Sequence, residues 1–412
     1  MVVEGMSRYG AVSTLSSTSS ALLFFVLLFC GTGRAVAADF TYSWTVQSPA
    51  NRAGFFPSIA FHPMIPSTIL VSGDDSSGLY RSTDTAATFS LVTSVPPDES
   101  SYALRYDPTN PKTIYFPNHF GRPLLKSSDG GASWFTNQSS NSLPTEVDEH
   151  RLNDLAIDPT FSKFVWVAME SGLFRSADYG ATFVRVVSAA FPADDFTSLA
   201  FSVDGSSLVV GDAKGRFYDC HAPTQDPPQF RELSSATFTG TISDMQFSAH
   251  ALYIAYNGGV VLRMALPLTP LAVTFINDGT HFTSFLYVSL AIVNGASPTA
   301  DTVYAGSWIQ PSAAWPQTNF GVFKSTDSGA SWKRASEGLG GASVFSLAVS
   351  PHDPSLLIMG GVGSGLFVSR DAAATWHPVG GDRMFAVAGL AHAESPGDSS
   401  HRMLCSTAGV VS

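Results

Sequence analysis

An eight-residue pattern, Ser-x-Asp-x-(Gly/Ala)-x-(Thr/Ser)-(Trp/Phe), recurs five times in this chain of 412 residues, beginning at Ser82, Ser127, Ser176, Ser325 and Ser369. Its aspartates, Asp84, Asp129, Asp178, Asp327 and Asp371, lie 45, 49, 149 and 44 residues apart, so the long gap holds three periods. A unit repeated at near-constant spacing must stack or close into a ring, because no single copy can bury its own apolar face. Two degenerate copies are expected in the gap. Gly215-Arg216-Phe217-Tyr218 and Gly259-Val260-Val261-Leu262 match the segment before the box elsewhere, as in Gly78-Leu79-Tyr80-Arg81.

Each period reads as a short apolar strand, a turn, a second strand, a Gly-bearing loop, a third strand, the box and a fourth strand. Phe61-His62-Pro63, Tyr106-Asp107-Pro108, Ile157-Asp158-Pro159 and Val349-Ser350-Pro351 mark one turn in four copies. Four short strands per period predict an all-β chain, a single β-propeller of four-stranded blades. Within the box, Asp and Ser favour local bonds to the backbone and Gly admits positive φ. The box therefore reads as structural: Asp84, Asp129, Asp178, Asp327 and Asp371 fix a hairpin, and Trp134, Trp332 and Trp376 pack back between blades.

The mean step between boxes, divided into residues 39–412, gives eight blades, with seven as the alternative. On that count Phe40 to Val46 supplies the outer strand of a blade begun by Val387 to Ser412, closing the ring with no open edge. Aligning the first strands gives a column of small or short polar residues: Ser58, Ala103, Asp154, Ser198, Asp244, Ser289, Ser346 and Gly389. First strands converge on the axis, so this column is expected to line a narrow central channel.

The repeat resembles the Asp-box (BNR) families, among them sialidases, two-domain xyloglucanases, the sortilin luminal domain and photosystem assembly factors. The resemblance spans nearly all of residues 39–412 and implies a propeller fold. The stretch Gly54 to Arg81 is similar to the opening blade of the xyloglucanases, in which the aspartate matching Asp75 is catalytic. Those enzymes draw their second carboxylate from a second propeller, whereas one is expected here. Their local motif is replaced by Gly73-Asp74-Asp75-Ser76-Ser77. The Phe-Arg-Ile-Pro signature of sialidases is absent, and Arg81 and Arg175 stand directly before boxes, where a structural role is expected.

Residues 1–38 read as a secretory signal, with an apolar run from Ala21 to Leu28 and a small-residue cleavage site at Ala35-Val36-Ala37; an uncleaved N-terminal anchor is the alternative. The remainder, 39–412, is the propeller domain, expected outside the cell or in a lumen. It carries 20 basic and 32 acidic residues, which disfavours nucleic acid and anionic membranes as partners. Cys220 and Cys405 are expected to be unpaired, and Asn137-Gln138-Ser139 is a glycosylation sequon.

Ligands are expected on the face built from the loops leading into each blade and the loops between second and third strands. These loops hold the acidic surplus, including Asp74, Asp75, Glu170, Asp194 and Asp195, together with Arg122. A longer loop, Ser307 to Phe320, carries Trp308, Gln310 and Trp315, residues suited to stacking on sugars and bonding their hydroxyls. No spacing suits a metal, a phosphate or another cofactor. The expected function is a glycan- or protein-binding module using Trp308, Trp315, Gln310, Asp74, Glu170 and Arg122. The alternatives are a glycoside hydrolase acting through Asp75, by paired-carboxylate chemistry, and an assembly factor. A monomer is the default.

Overall fold

The computed structural model describes residues 55–73, 78–95, 101–117, 124–136, 143, 152–191, 195–233, 240–257, 259–268, 272–275, 287–308, 321–379, 390–393 and 402–405. They form seven four-stranded antiparallel sheets, each in sequence order, at 58–91, 105–136, 152–186, 196–232, 242–275, 287–334 and 344–378. These are blades 1 to 7. Their first strands are Ser58–Phe61, Arg105–Tyr106, Leu152–Ile157, Phe196–Phe201, Ile242–Phe247, Tyr287–Val293 and Val344–Val349. The degenerate copies supply the third strands of blades 4 and 5, Phe217–His221 and Val260–Ala265, as the sequence predicts.

The box works as a locked turn. In all five copies the Ser hydroxyl donates to Asp Oδ1 at 2.7–2.8 Å, while its oxygen accepts the amide four residues on at 2.8–2.9 Å. Asp Oδ2 takes the hydroxyl of the box Thr or Ser. These bonds hold two successive residues left-handed, for example Gly130 and Gly131 at φ 77° and 84°. The fourth box residue then donates its amide to the turn between the first and second strands. That bond recurs in every blade, from Thr85 to Ser67 in blade 1 to Ala372 to Ser355 in blade 7. Blades 4 and 5 keep it, through Ala222 and Leu266, although they have lost the box residues.

A basic side chain near each intact box reaches the next blade's turn. Arg81 donates to the Gly130 carbonyl at 2.6 Å, Lys126 to Tyr179 at 2.7 Å, Arg175 to Gln225 at 2.8 Å and Lys324 to Ala372 at 2.8 Å. In blade 7 the task falls to Arg370, which donates to Thr85 of blade 1 at 2.7 Å. Arg81 and Arg175 are thus engaged by the framework.

Seven apolar clusters fill the blade interfaces among the described residues, and each box aromatic plugs the interface with the preceding blade. Phe89 packs between blades 7 and 1, Trp134 between 1 and 2, Phe183 between 2 and 3, Trp332 between 5 and 6, and Trp376 between 6 and 7. Each fully buried large side chain contributes about 1.5–3 kcal/mol, so these clusters carry most of the stability.

The ring has seven blades, not the eight expected. Phe56, Ile69, Val71 and Phe89 of blade 1 pack directly on Leu356, Ile358 and Leu366 of blade 7. The Phe56 amide donates to the Gly361 carbonyl at 3.3 Å, and the Ser346 hydroxyl donates to the Phe56 carbonyl at 2.7 Å. No gap remains for an eighth blade. The length arithmetic failed because it assigned every residue after the signal to the ring. Residues 390–393 and 402–405 pair instead as a separate two-stranded hairpin. Phe40 to Val46, the strand expected to complete that blade, and Gly389 lie outside the described residues, as does Asn137. Cys220 is buried and unpaired, and burial pushes its thiol up to about 12. Among the described residues no helix is long and apolar enough to cross a membrane.

A Cβ at Gly360 would collide with the Phe56 carbonyl and the Ser346 hydroxyl, the groups that join blade 7 to blade 1. Gly360→Ala should therefore destabilise the protein by about 1–3 kcal/mol, the usual cost of overpacking, as measured by chemical denaturation. A variant as stable as the wild type would contradict closure between these two blades.

Candidate functional site

A channel of about 870 Å³ runs along the axis between the first strands. Six residues of the predicted column line it: Ser58, Asp154, Ser198, Asp244, Ser289 and Ser346. Ala103, in the second copy, is buried instead, and blade 2 presents Arg105 two residues later. The column also holds the ring together. Ser58 accepts the Leu104 amide at 3.0 Å, Asp154 the Leu199 amide at 2.9 Å and Asp244 the Leu290 amide at 2.7 Å, each in the following blade.

The charged groups of the channel wall are Arg105, Asp154 and Asp244. Arg105 Nη2 lies 2.9 Å from Asp154 Oδ1. Burial raises the Asp154 carboxyl above its usual range against the opposing pull of Arg105 and two backbone amides. Among the described residues Asp244 has no ion-pair partner of its own. Burial, reinforced by the charge of Asp154, lifts it to about 7 against the Leu290 amide and Arg105.

The upper mouth, where the first strands begin, is shaped by a repeated irregularity. In blades 3, 4, 5 and 7 the pairing of the first two strands skips one residue just before the column: Asn153, Thr197, Ser243 and Phe345. These β-bulges turn an extra side chain toward the channel, whose wall includes all four. Phe345 meets Phe55 at 4.4 Å between ring centroids, Tyr102 at 5.6 Å and Trp308 at 6.0 Å, while Phe55 and Tyr102 lie 5.5 Å apart. The four rings are half-buried. On one side of the mouth the wall is aromatic, at Tyr102 and Phe345 of blades 2 and 7, with Phe55 and Trp308 packed against them. The other, from blades 3, 4 and 5, is polar.

Of the sequence-predicted site residues, Trp308 ends the second strand of blade 6 and joins this cluster. Glu170 sits in the turn after the second strand of blade 3, close enough to Asp195 to act on it electrostatically. Burial first, then the charges of Glu170 and Asp212, raise the Asp195 carboxyl. Asp212 itself is held by Arg216 at 2.7 Å and by the Tyr218 hydroxyl at 3.1 Å. Asp74, Asp75, Arg122, Gln310 and Trp315 lie outside the described residues. Sequence reasoning missed Phe55, Tyr102, Phe345 and Arg105. Tyr102 and Phe345 each stand one residue before the small-residue column, so a second column beside the first would have shown them.

No protein-family model matches the sequence. Over 378 residues the chain is 24% identical to a xyloglucanase of Hypocrea jecorina, covering 84% of this chain and 41% of that protein. Over 256 residues it is 25% identical to a Paenibacillus xyloglucanase, covering 53% and 25%. The chain thus spans less than half the length of these curated relatives. Among solved structures it superposes on the GH74 xyloglucanase of Xanthomonas campestris with a TM-score of 0.62 at 16% identity, covering 84% of this chain and 57% of that one. YCF48 from Cyanidioschyzon merolae gives 0.54 at 16% identity, covering 78% and 97%. The chain has the β-propeller fold. YCF48 bound to a D1 peptide gives 0.52 at 14% identity over 81% and 96%, so the likeness to the solved structures extends to single-ring proteins and shows the fold alone.

The box aspartates and Asp244 titrate in opposite senses. Hydrogen bonds from Ser133 and Ser127 hold Asp129 low; at Asp371 burial opposes, but bonds from Thr375 and Ser369 outweigh it and hold the carboxyl at about 2. Such depressed groups stabilise the fold above the unfolded carboxylate range, and this is lost as pH falls toward 2. Asp244, raised to about 7, stabilises the fold fully below its unfolded value, and this is lost as pH rises through 7. Asp244→Asn keeps an acceptor for the Leu290 amide. It should melt above the wild type at pH 8, with the gap narrowing as pH falls below 7 and closing only below about 4. A gap that is absent or independent of pH would contradict the assignment.

Proposed function

We propose that this is an exported glycan-binding propeller that takes a xyloglucan-type β-glucan at the upper mouth of its channel. The observation that carries the reading is the pair of wall aromatics Tyr102 and Phe345, backed by Phe55 and Trp308, in the same channel wall as the polar residues Asn153, Thr197 and Ser243. A glucan chain has the same division, with apolar C–H faces that stack on aromatic rings and hydroxyl edges that require hydrogen bonds. The names of the two curated relatives point to the same class of polymer. In this reading the sequence-predicted residues Gln310, Trp315, Asp74, Glu170 and Arg122 also take part in binding.

A hydrolytic version is supported by the pairing of Asp195 with Glu170, two carboxylates close enough to act on each other, with burial and then the charge of Glu170 raising the Asp195 carboxyl. New reducing ends released from xyloglucan by the wild type, and lost in Asp195→Asn or Asp75→Asn, would establish that version.

Phe345→Leu preserves apolar volume but removes the flat ring. It and Trp308→Ala should each weaken xyloglucan binding, measured by calorimetry, by at least about 1 kcal/mol, roughly fivefold. Unchanged affinity in both variants, or no binding by the wild type, would refute the reading.

A further inference from the structure

We propose that the channel receives the end of the glucan chain, so that this propeller recognises chain termini rather than chain middles; this rests on the glycan-binding reading above. The channel is enclosed by first strands from all seven blades, and blade 7 is joined to blade 1. It therefore has no lateral opening through which the middle of a polymer could enter. Its volume of about 870 Å³ falls within the roughly 300–1,000 Å³ of small-molecule sites.

The space exists because the wall positions two residues below the column are mostly alanine. Ala156, Ala200, Ala291 and Ala348 occupy them in blades 3, 4, 6 and 7. At the same height Arg105 and Gln246 project from blades 2 and 5. The column above supplies Asp154 and Asp244, and also Ser289, whose hydroxyl is buried without a hydrogen-bond partner. A buried hydroxyl left unpaired costs free energy that a ligand hydroxyl can recover. Below this polar zone the wall turns apolar at Phe201, Phe247 and Val349. The upper part of the channel thus offers a ring of hydrogen-bonding groups directly beneath the mouth, separated by this apolar belt from Asn294 and Ser350 at the lower end. A terminal sugar unit, with one more free hydroxyl than an internal unit, suits that zone, and the units behind it would rest on the aromatic side of the mouth.

Chain-end recognition has a signature that needs no variant. Binding of xyloglucan fractions of increasing length should reach half-saturation at constant molarity of chains, because each chain has the same number of ends. Half-saturation at constant mass concentration would mean that internal segments or side-chain tips bind rather than the backbone end, which overturns the end-on inference and leaves the glycan-binding reading standing. No binding to any fraction would overturn both. Ala348→Phe, placed on a half-buried wall position, should fill the channel. It should weaken binding of a short xyloglucan oligosaccharide at least tenfold, with a melting temperature near that of the wild type. A stable variant that binds as the wild type does would also overturn the inference.

Discussion

Side chains near the axis hold each blade to the next, and the rest of the structure depends on those bonds. A four-stranded sheet with one short outer strand cannot persist alone. Here Ser58, Asp154 and Asp244 each accept an amide from the following blade, and Ser346 carries the series across to blade 1. At the other end of the blades, Arg81, Lys126, Arg175, Lys324 and Arg370 tie each intact box to its neighbour. The apolar clusters between these two tiers supply the free energy, and the polar tiers fix the register in which the blades meet. Loss of the box in blades 4 and 5 is tolerated because the backbone bond from the third-strand turn to the first turn survives there.

The same constraint makes the channel. Acceptors that must reach the next blade are short, Ser or Asp, and their shortness leaves the axis open. Burying Asp244 in this position raises its carboxyl to about 7, so the group that fastens blade 5 to blade 6 is also one that titrates near neutrality. The β-bulges that precede the column aim Phe345 and three polar residues at the mouth. Structure and candidate site therefore share one set of strands.

The blade architecture was legible in the sequence because it is written locally. Five boxes, the Pro-marked turns and the small-residue column are periodic patterns, and six of the eight column residues do line the channel. The blade count was not legible, because ring closure is decided by contact between Phe56 and the segment Ser346 to Gly361, some 290 residues away. The mouth was half legible. Trp308 stood out because it opens a long loop, whereas Phe55, Tyr102 and Phe345 become neighbours only once the ring has brought blades 1, 2 and 7 together. Bulges leave little trace in a single sequence, and without them Phe345 would read as an ordinary strand residue.

Amide hydrogen exchange at Phe56, compared with Leu104, Leu199 and Leu290, tests the seven-bladed closure most directly, since each of these amides donates across a blade interface. In a closed ring, interface amides open only with the cooperative unit that holds them. The account predicts that the Phe56 amide exchanges as slowly as the other three, and that Gly360→Ala speeds exchange at Phe56 more than at Leu199. Rapid exchange at Phe56 in the wild type, with the other three protected, would contradict closure of blade 7 on blade 1.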